Sequence, residues 1–387
     1  MGVDAWGFDA ERQVVARRLR SKRLVLRAVH GAVVGLLATA LVVGGAVSLR
    51  DAVLRLGWPG WASTGAFLAL LFGAFAAAEL PFAYVGGFRW ERAFGLSRQR
   101  VRGWLEDVAK SLALGLASTL VVGGGLLWLL ATTPWWWLPA WILGVAASLG
   151  IGFLAPIVLM PLFYRLRPIQ DESLRNRFAS IAARAGVQVI GAFVLEASPK
   201  TRRSNAAVMG FGRTRRIVVT DTLLAEFRVE EIDAVLAHEL AHQRHRDPLW
   251  GMLQGSLASL AILAVTAWLY DATRASLGIP SPGDLAGLPW LAVLFSLVAL
   301  PFGPLELRWS RARESRADRF ALELTGNPAA FAAAMVRLHD RNLGVADPRR
   351  WEKWLFYSHP TGRERVESAR AFAAAPHELR RILYYDG

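Results

Sequence analysis

Two of the chain's seven histidines stand four residues apart in AHELAHQRH, where His238, Glu239 and His242 spell H-E-x-x-H. Upstream, Val229, Ile232, Val235 and Leu236 recur at helical spacing, so the motif should lie on a helix. Residues i and i+4 share a helical face; both imidazoles can therefore reach one zinc ion while Glu239 addresses a water beside it. A catalytic zinc takes three protein ligands and keeps a position for water, so one more His, Asp or Glu is required. The chain has no cysteine, which excludes thiolate ligands, disulfides and cysteine nucleophiles. SRARESRADRFALEL (310–324) reads as a second helix with Glu314 and Asp318 again at i and i+4. Glu314 can ligate there, and Asp318 can orient a liganding histidine by hydrogen bond. The competing reading is an exposed, salt-bridged helix, given Arg311, Arg313 and Arg316. Glu306 is the alternative third ligand, although it sits close to the end of an apolar run. His245, one turn beyond His242, would be crowded as a ligand and is expected in solvent or behind the ligands.

The elements that position these residues are set in an apolar chain. Hydrophobic residues make up 54% of it, which strains any purely soluble fold, and six runs are long enough to cross about 30 Å of hydrocarbon. They are Ala28 to Leu49, Trp61 to Val85, Ser111 to Thr133, Trp136 to Phe163, Leu249 to Tyr270 and Leu288 to Leu305. Pro139, Pro156 and Pro161 predict kinks in the fourth. Lys plus Arg number 45 and Asp plus Glu 31, a net charge of +14. The basic residues gather before the first run and between the second and third, whereas the opposite loops hold only Arg50, Arg55 and Arg274. This asymmetry predicts six spans with both termini cytoplasmic, in the cytoplasmic membrane. It accounts for much of the charge without nucleic acid, for which no binding signature is present. Glu79, with Pro81 near the end of the second run, is expected at the membrane interface or lining a hydrated cavity.

Two polar stretches remain, Arg165 to Asp247 and Glu306 to Gly387, and on this topology they must dock into one cytoplasmic domain. In the first, AFVLEA (192–197) and RRIVVTD (215–221) have strand character, with SNAAVMGFG between them as a third strand and turn. The expected architecture is mainly α: a polytopic helical membrane protein whose catalytic domain contains a small β-sheet. Its segments are a basic N-terminal stretch (1–27), a four-helix membrane region (28–163), a first catalytic part with the H-E-x-x-H helix (164–247), a two-helix membrane hairpin (248–305) and a second catalytic part (306–387).

Several segments, in order, resemble the Ste24-type (type I CAAX prenyl protease) integral-membrane zinc metalloproteases, gluzincins of peptidase family M48. They are PFAYVGGFRWERAFGLSRQRVRGWLEDVAKS, PLFYRLRPIQDESLRNRFASIAARAGV, KTRRSNAAVMGFGRTRRIVVTDTLL, AHELAH, SRARESRAD and SHPTGRER. The resemblance implies that His238, His242 and Glu314 bind one Zn2+, that Glu239 is the general base and that Asp318 supports a ligand. It places Asn205 and Ala206 on an edge strand that aligns substrate, and His359 and Arg365 near the scissile carbonyl. The implied activity is hydrolysis of membrane-associated or lipidated, CAAX-like peptides. An HtpX-like quality-control protease and an inactive metal-binding membrane scaffold are the alternatives. Two features depart from the family: its seven spans appear here as six, and Ala207 stands where the family has an aromatic.

Overall fold

A computed structural model describes residues 2–210 and 212–375; Phe211 of the turn after the third expected strand, and residues 376–387 of the 306–387 segment, lie outside it. Helix α1 (Ala10–Leu54) begins well before the first apolar run, capped by the Asp9 carboxylate, which accepts from the Arg12 N–H at 3.0 Å. The basic leader is therefore mostly the first turns of a long helix. Its start is anchored: Phe8 is fully buried beside Ala346 and Val366, and Gln13 donates to Gly344 O and accepts from Ala346 N–H. Helices α2 (Gly60–Ala93), α3 (Val101–Thr132) and α4 (Trp137–Phe163) complete the N-terminal membrane region.

Kinks were expected only in the fourth span, yet all four helices contain a widened π-turn. In α4 it surrounds Pro156 and in α2 it follows Pro81, where a missing N–H breaks the regular ladder. In α1 it holds Gly44 at φ 133°, open to glycine but strained for other residues. Glu79 of α2 meets His30 of α1 in an ion-pair contact, so this carboxylate has a partner that sequence reasoning did not assign.

The chain then builds the domain that carries the H-E-x-x-H motif. Strands β1 (Leu166–Pro168) and β2 (Ala192–Leu195) flank helix α5 (Glu172–Arg184); β3 (Ala206–Met209) and β4 (Arg216–Thr220) follow, then the short α6 (Asp221–Glu226). The sheet has four strands rather than three, in the order β1-β2-β4-β3; a three-residue strand such as β1 is too short for an alternating pattern to reveal. Pairing of β2 with β4 is parallel and of β3 with β4 antiparallel, which leaves β3 on an edge. Helix α7 (Val229–Arg244) carries the H-E-x-x-H motif beneath this sheet and is followed by the membrane helix α8 (Asp247–Leu277).

The last expected span divides. Helix α9 (Gly287–Ala299) meets α10 (Phe302–Thr325) at a bend of 49°, at Leu300 and Pro301. Among the described residues five helices are thus long and apolar enough to cross a membrane, and the bent pair makes a sixth if it is one span. Helix α11 (Pro328–Asn342), α12 (Arg350–Phe356) and α13 (Gly362–Ala374) close the domain. The two polar stretches share one core: Phe178, Ile217, Leu223, Leu236 and Leu240 from the first pack with Ala321, Phe331 and Phe372 from the second.

Candidate metal centre

Helix α7 is held tightly enough to fix its side chains. Arg228 N–H at its start donates to Glu231 Oε2 at 2.9 Å, satisfying an end group no helical carbonyl can reach. Ala234, Leu236, Ala237, Leu240 and Ala241 along its length are fully buried, and the alanines among them let α10 approach closely. Along this contact His238 and His242 face Glu314.

His238 Nε2 and His242 Nε2 lie 3.3 Å apart. Glu314 Oε2 is 3.2 Å from His238 Nε2, and Glu314 Oε1 is 3.4 Å from His242 Nε2. Three donors about 2.0–2.1 Å from a tetrahedral zinc would stand roughly 3.4 Å from one another, so the set fits that ion. Among the described residues these three form the group able to hold a metal. The electrostatics agree with the geometry. Burial lowers the His238 imidazole, but hydrogen bonds to Asp318 and Glu314 override it and raise the pKa to about 9. Positive charge is therefore favoured at this point.

Asp318 Oδ1 lies 2.8 Å from His238 Nδ1, which directs Nε2 toward the ligand cluster. Burial would raise the Asp318 carboxyl, but Arg365 and His238 hold it down at about 2. Glu239, half-buried beside His238, is pushed above the ordinary carboxylate range by burial, against the pull of both histidines.

Arg365 packs behind His238. Its guanidinium is buried and paired with both oxygens of Asp318, with Nε to Oδ2 at 2.9 Å, on the Nδ1 side of His238. His359 faces the front: its side chain is 56% exposed and its Nε2 is 3.3 Å from Glu314 Oε1. Ser358 Oγ lies 2.8 Å from His359 Nδ1.

Glu306 is removed as a ligand. It lies eight residues before Glu314 on the same continuous helix, about 12 Å along the axis, where it pairs with Arg313 at 2.6 Å. His245 caps the end of α7 and sets its ring edge-on to Phe320 at 5.5 Å, outside the ligand group. Asn205 immediately precedes β3. Its C=O accepts from Thr220 N–H and its N–H donates to Thr220 Oγ1, both at 3.0 Å, so its backbone is spent inside the sheet. By antiparallel alternation the N–H and C=O of Ala206 and Val208 point to the open edge.

Two residues of the site were missed. Asp247 Oδ2 accepts from His242 Nδ1 at 2.9 Å, and Asp247 also pairs with Arg316. Gln243, next to His242, donates to Val208 O at 3.1 Å and accepts from Arg215 Nε at 2.9 Å, tying the edge strand to the motif helix. Its place four residues after Glu239 was visible in the sequence, but its partners come from distant strands.

The profile of peptidase family M48 matches residues 168–373, and that of the CAAX prenyl protease N-terminal region, described as five membrane helices, matches residues 8–165. The chain belongs to peptidase family M48, as a Ste24-type membrane metalloprotease. This M48 chain forms four long helices where the N-terminal profile describes five. It is 29% identical to CAAX prenyl protease 1 of Saccharomyces cerevisiae over 83% of its own length and 76% of the relative's. It is likewise 29% identical to metalloprotease YhfN of Bacillus subtilis, over 77% and 71%. The crystal structure of S. mikatae Ste24p has the same fold, with a TM-score of 0.81 over 93% of this chain and 89% of that one, at 22% identity.

Proposed function

We propose that this M48 membrane protease is a zinc endopeptidase whose site faces the cytoplasm and whose substrates are membrane-associated, lipidated peptides of CAAX type. The carrying observation is the spacing of the three donors, 3.2–3.4 Å, with Glu239 beside them on the same helix. When bound there by His238, His242 and Glu314, zinc would supply a Lewis acid for the scissile carbonyl and a lowered pKa for an attacking water. Glu239 takes a proton from that water and returns it to the leaving amine. Its raised affinity for protons suits a base that must also act as an acid. His359, with Nδ1 held by Ser358, presents Nε2–H to the developing oxyanion. Asp318 and Arg365 hold the His238 ring, and Asp247 holds that of His242.

The open edge of β3 supports an extended peptide. Ala206 offers both backbone groups to an added strand, while the Asn205 side chain, exposed at the end of β3, is free to touch it. The lipidated substrate class rests on the CAAX prenyl protease relatives, and the match across residues 8–165 favours this reading over an HtpX-like one. Purified protein in lipid nanodiscs tests the proposal. Wild type should hold one zinc and cleave a farnesylated CAAX peptide in preference to its unlipidated counterpart. Glu239→Gln should keep the zinc and lose about 10²- to 10⁴-fold in rate. His238→Ala and Glu314→Ala should lose the metal. Full activity in Glu239→Gln would remove it as the base, and equal rates on the two peptides would remove the lipid preference.

A further inference from the structure

Away from the metal centre, arginines from three separate segments line one cavity of 310 Å3, and a fourth stands near it. Arg12 comes from α1, Arg202 from the approach to β3 and Arg341 from the end of α11, and all three line it. Arg98, from the loop after α2, is near enough for its charge to act on Arg341. Glu11 is the acidic side chain in the wall. Arg341 pairs with Glu226 and Arg12 donates to the Asp340 carbonyl at 3.0 Å, whereas Arg98 and Arg202 make no side-chain ion pair among the described residues. Burial and then the charges of Arg12, Arg202 and Arg98 hold the Arg341 guanidinium below its ordinary value. Like charges gathered this way repel unless an anion fills the space between them.

The positive-inside rule explains arginines on this side of the molecule but not their convergence on a cavity. Its distance along the helices from the apolar runs argues against the bilayer as the counter-charge. Arg12 lies sixteen residues before the apolar run of α1, about 24 Å along the helix, and α2 extends about 12 Å past Val85 before reaching the pocket wall. The headgroup layer is only about 5–8 Å deep. At about 30 Å3 per water the cavity has room for roughly ten waters, more than a single phosphate group needs. Guanidinium forks match phosphate oxygens in pairs.

We propose that this pocket binds a soluble polyanion built of linked phosphate groups, with Arg12, Arg202 and Arg341 as its ligands and Arg98 adding positive charge nearby. Binding would bear on the peptidase site through the chain. Arg202 N–H donates to Leu96 O at 2.9 Å, and Ser97 bridges to Thr201, so the pocket wall is laced to the segment entering β3.

Calorimetric titration of the full chain in nanodiscs of zwitterionic lipid, with tripolyphosphate as the probe, tests this. One saturable site is expected, absent when sodium chloride of equal ionic strength replaces the probe. The double variant Arg98→Gln/Arg202→Gln should weaken binding about tenfold or more, or about 1.4 kcal/mol and upward, because charge-assisted hydrogen bonds to the anion go with Arg202 and a nearby positive charge goes with Arg98. Its thermal melting should be unchanged, because neither side chain has an ion-pair partner among the described residues to lose. Glu11→Gln should tighten binding, a gain that a misfolded protein cannot give. Absence of a saturable site, or equal affinity in the double variant, would overturn the proposal. Failure of tripolyphosphate combined with arginine-dependent binding to nanodiscs containing phosphatidylglycerol would replace the soluble ligand with a lipid headgroup and overturn it equally.

Discussion

His242 Nδ1 lies 2.9 Å from Asp247 Oδ2, and Asp247 is the first residue of a membrane helix. One imidazole of the metal centre is therefore oriented by the foot of α8. The link depends on Arg246, which takes a left-handed conformation at φ 57°, rare for a side chain of this size, and folds the chain back between the two helices. Asp247→Ala should weaken zinc binding about 10- to 100-fold, the usual cost of losing such a partner. Competition with a chelator of known affinity measures this. Asp247→Asn, which keeps an acceptor oxygen, should recover part of the loss, and unchanged affinity in both variants would assign the contact to packing alone.

Gln243 fixes the edge strand at Val208 O, so the carbonyl there is closed to substrate while both groups of Ala206 stay open. Gln243→Ala should raise KM for extended peptides more than it lowers kcat, with zinc content unchanged. It should also cost about 1–3 kcal/mol of stability, because Val208 O loses a buried partner. A fall in kcat alone, with KM intact, would place Gln243 in the chemical step instead.

His339 packs between Phe8 and the backbones of Gly344 and Gly362, with Nδ1–H donating to Met335 O at 2.9 Å. Burial lowers its pKa to about 4. An unfolded histidine titrates near 6.5, so between about pH 6.5 and 4 the unfolded chain binds a proton that the folded chain refuses. Stability should therefore be insensitive to this group above pH 6.5 and decline by about 3 kcal/mol as pH falls to 4. Thermal melts of wild type and His339→Gln between pH 7.5 and 4.5 check the sign. The variant should start less stable and lose less on acidification; parallel curves would shift the acid sensitivity to another group.

Orientation rests on the arginine asymmetry. Reporter fusions in the Arg98 loop and at the C-terminus should read cytoplasmic, and one between Asp271 and Gly287 should read external. A fusion near Gly387 reading external would mean that the bent pair α9–α10 enters and leaves the membrane on one side.

The metal site was legible because its parts are local. The i, i+4 periodicity of a helix puts His238 with His242, and Glu314 with Asp318, on common faces wherever those helices end up. The apolar runs likewise mark membrane helices by length alone, although Pro301 moved the last boundary and merged the end of one run with the helix of Glu314. What the sequence could not disclose depends on turns and on contacts across long separations. Asp247 stands five residues beyond His242, off its helical face, and meets it only through the left-handed turn at Arg246. Arg365, 127 residues from His238, lies behind it because α13 packs against α10 there. The arginine-lined pocket joins segments whose charges, read along the chain, indicate only a side of the membrane. Periodicity determined which residues share an element; packing of those elements decided which side of each residue faces the chemistry.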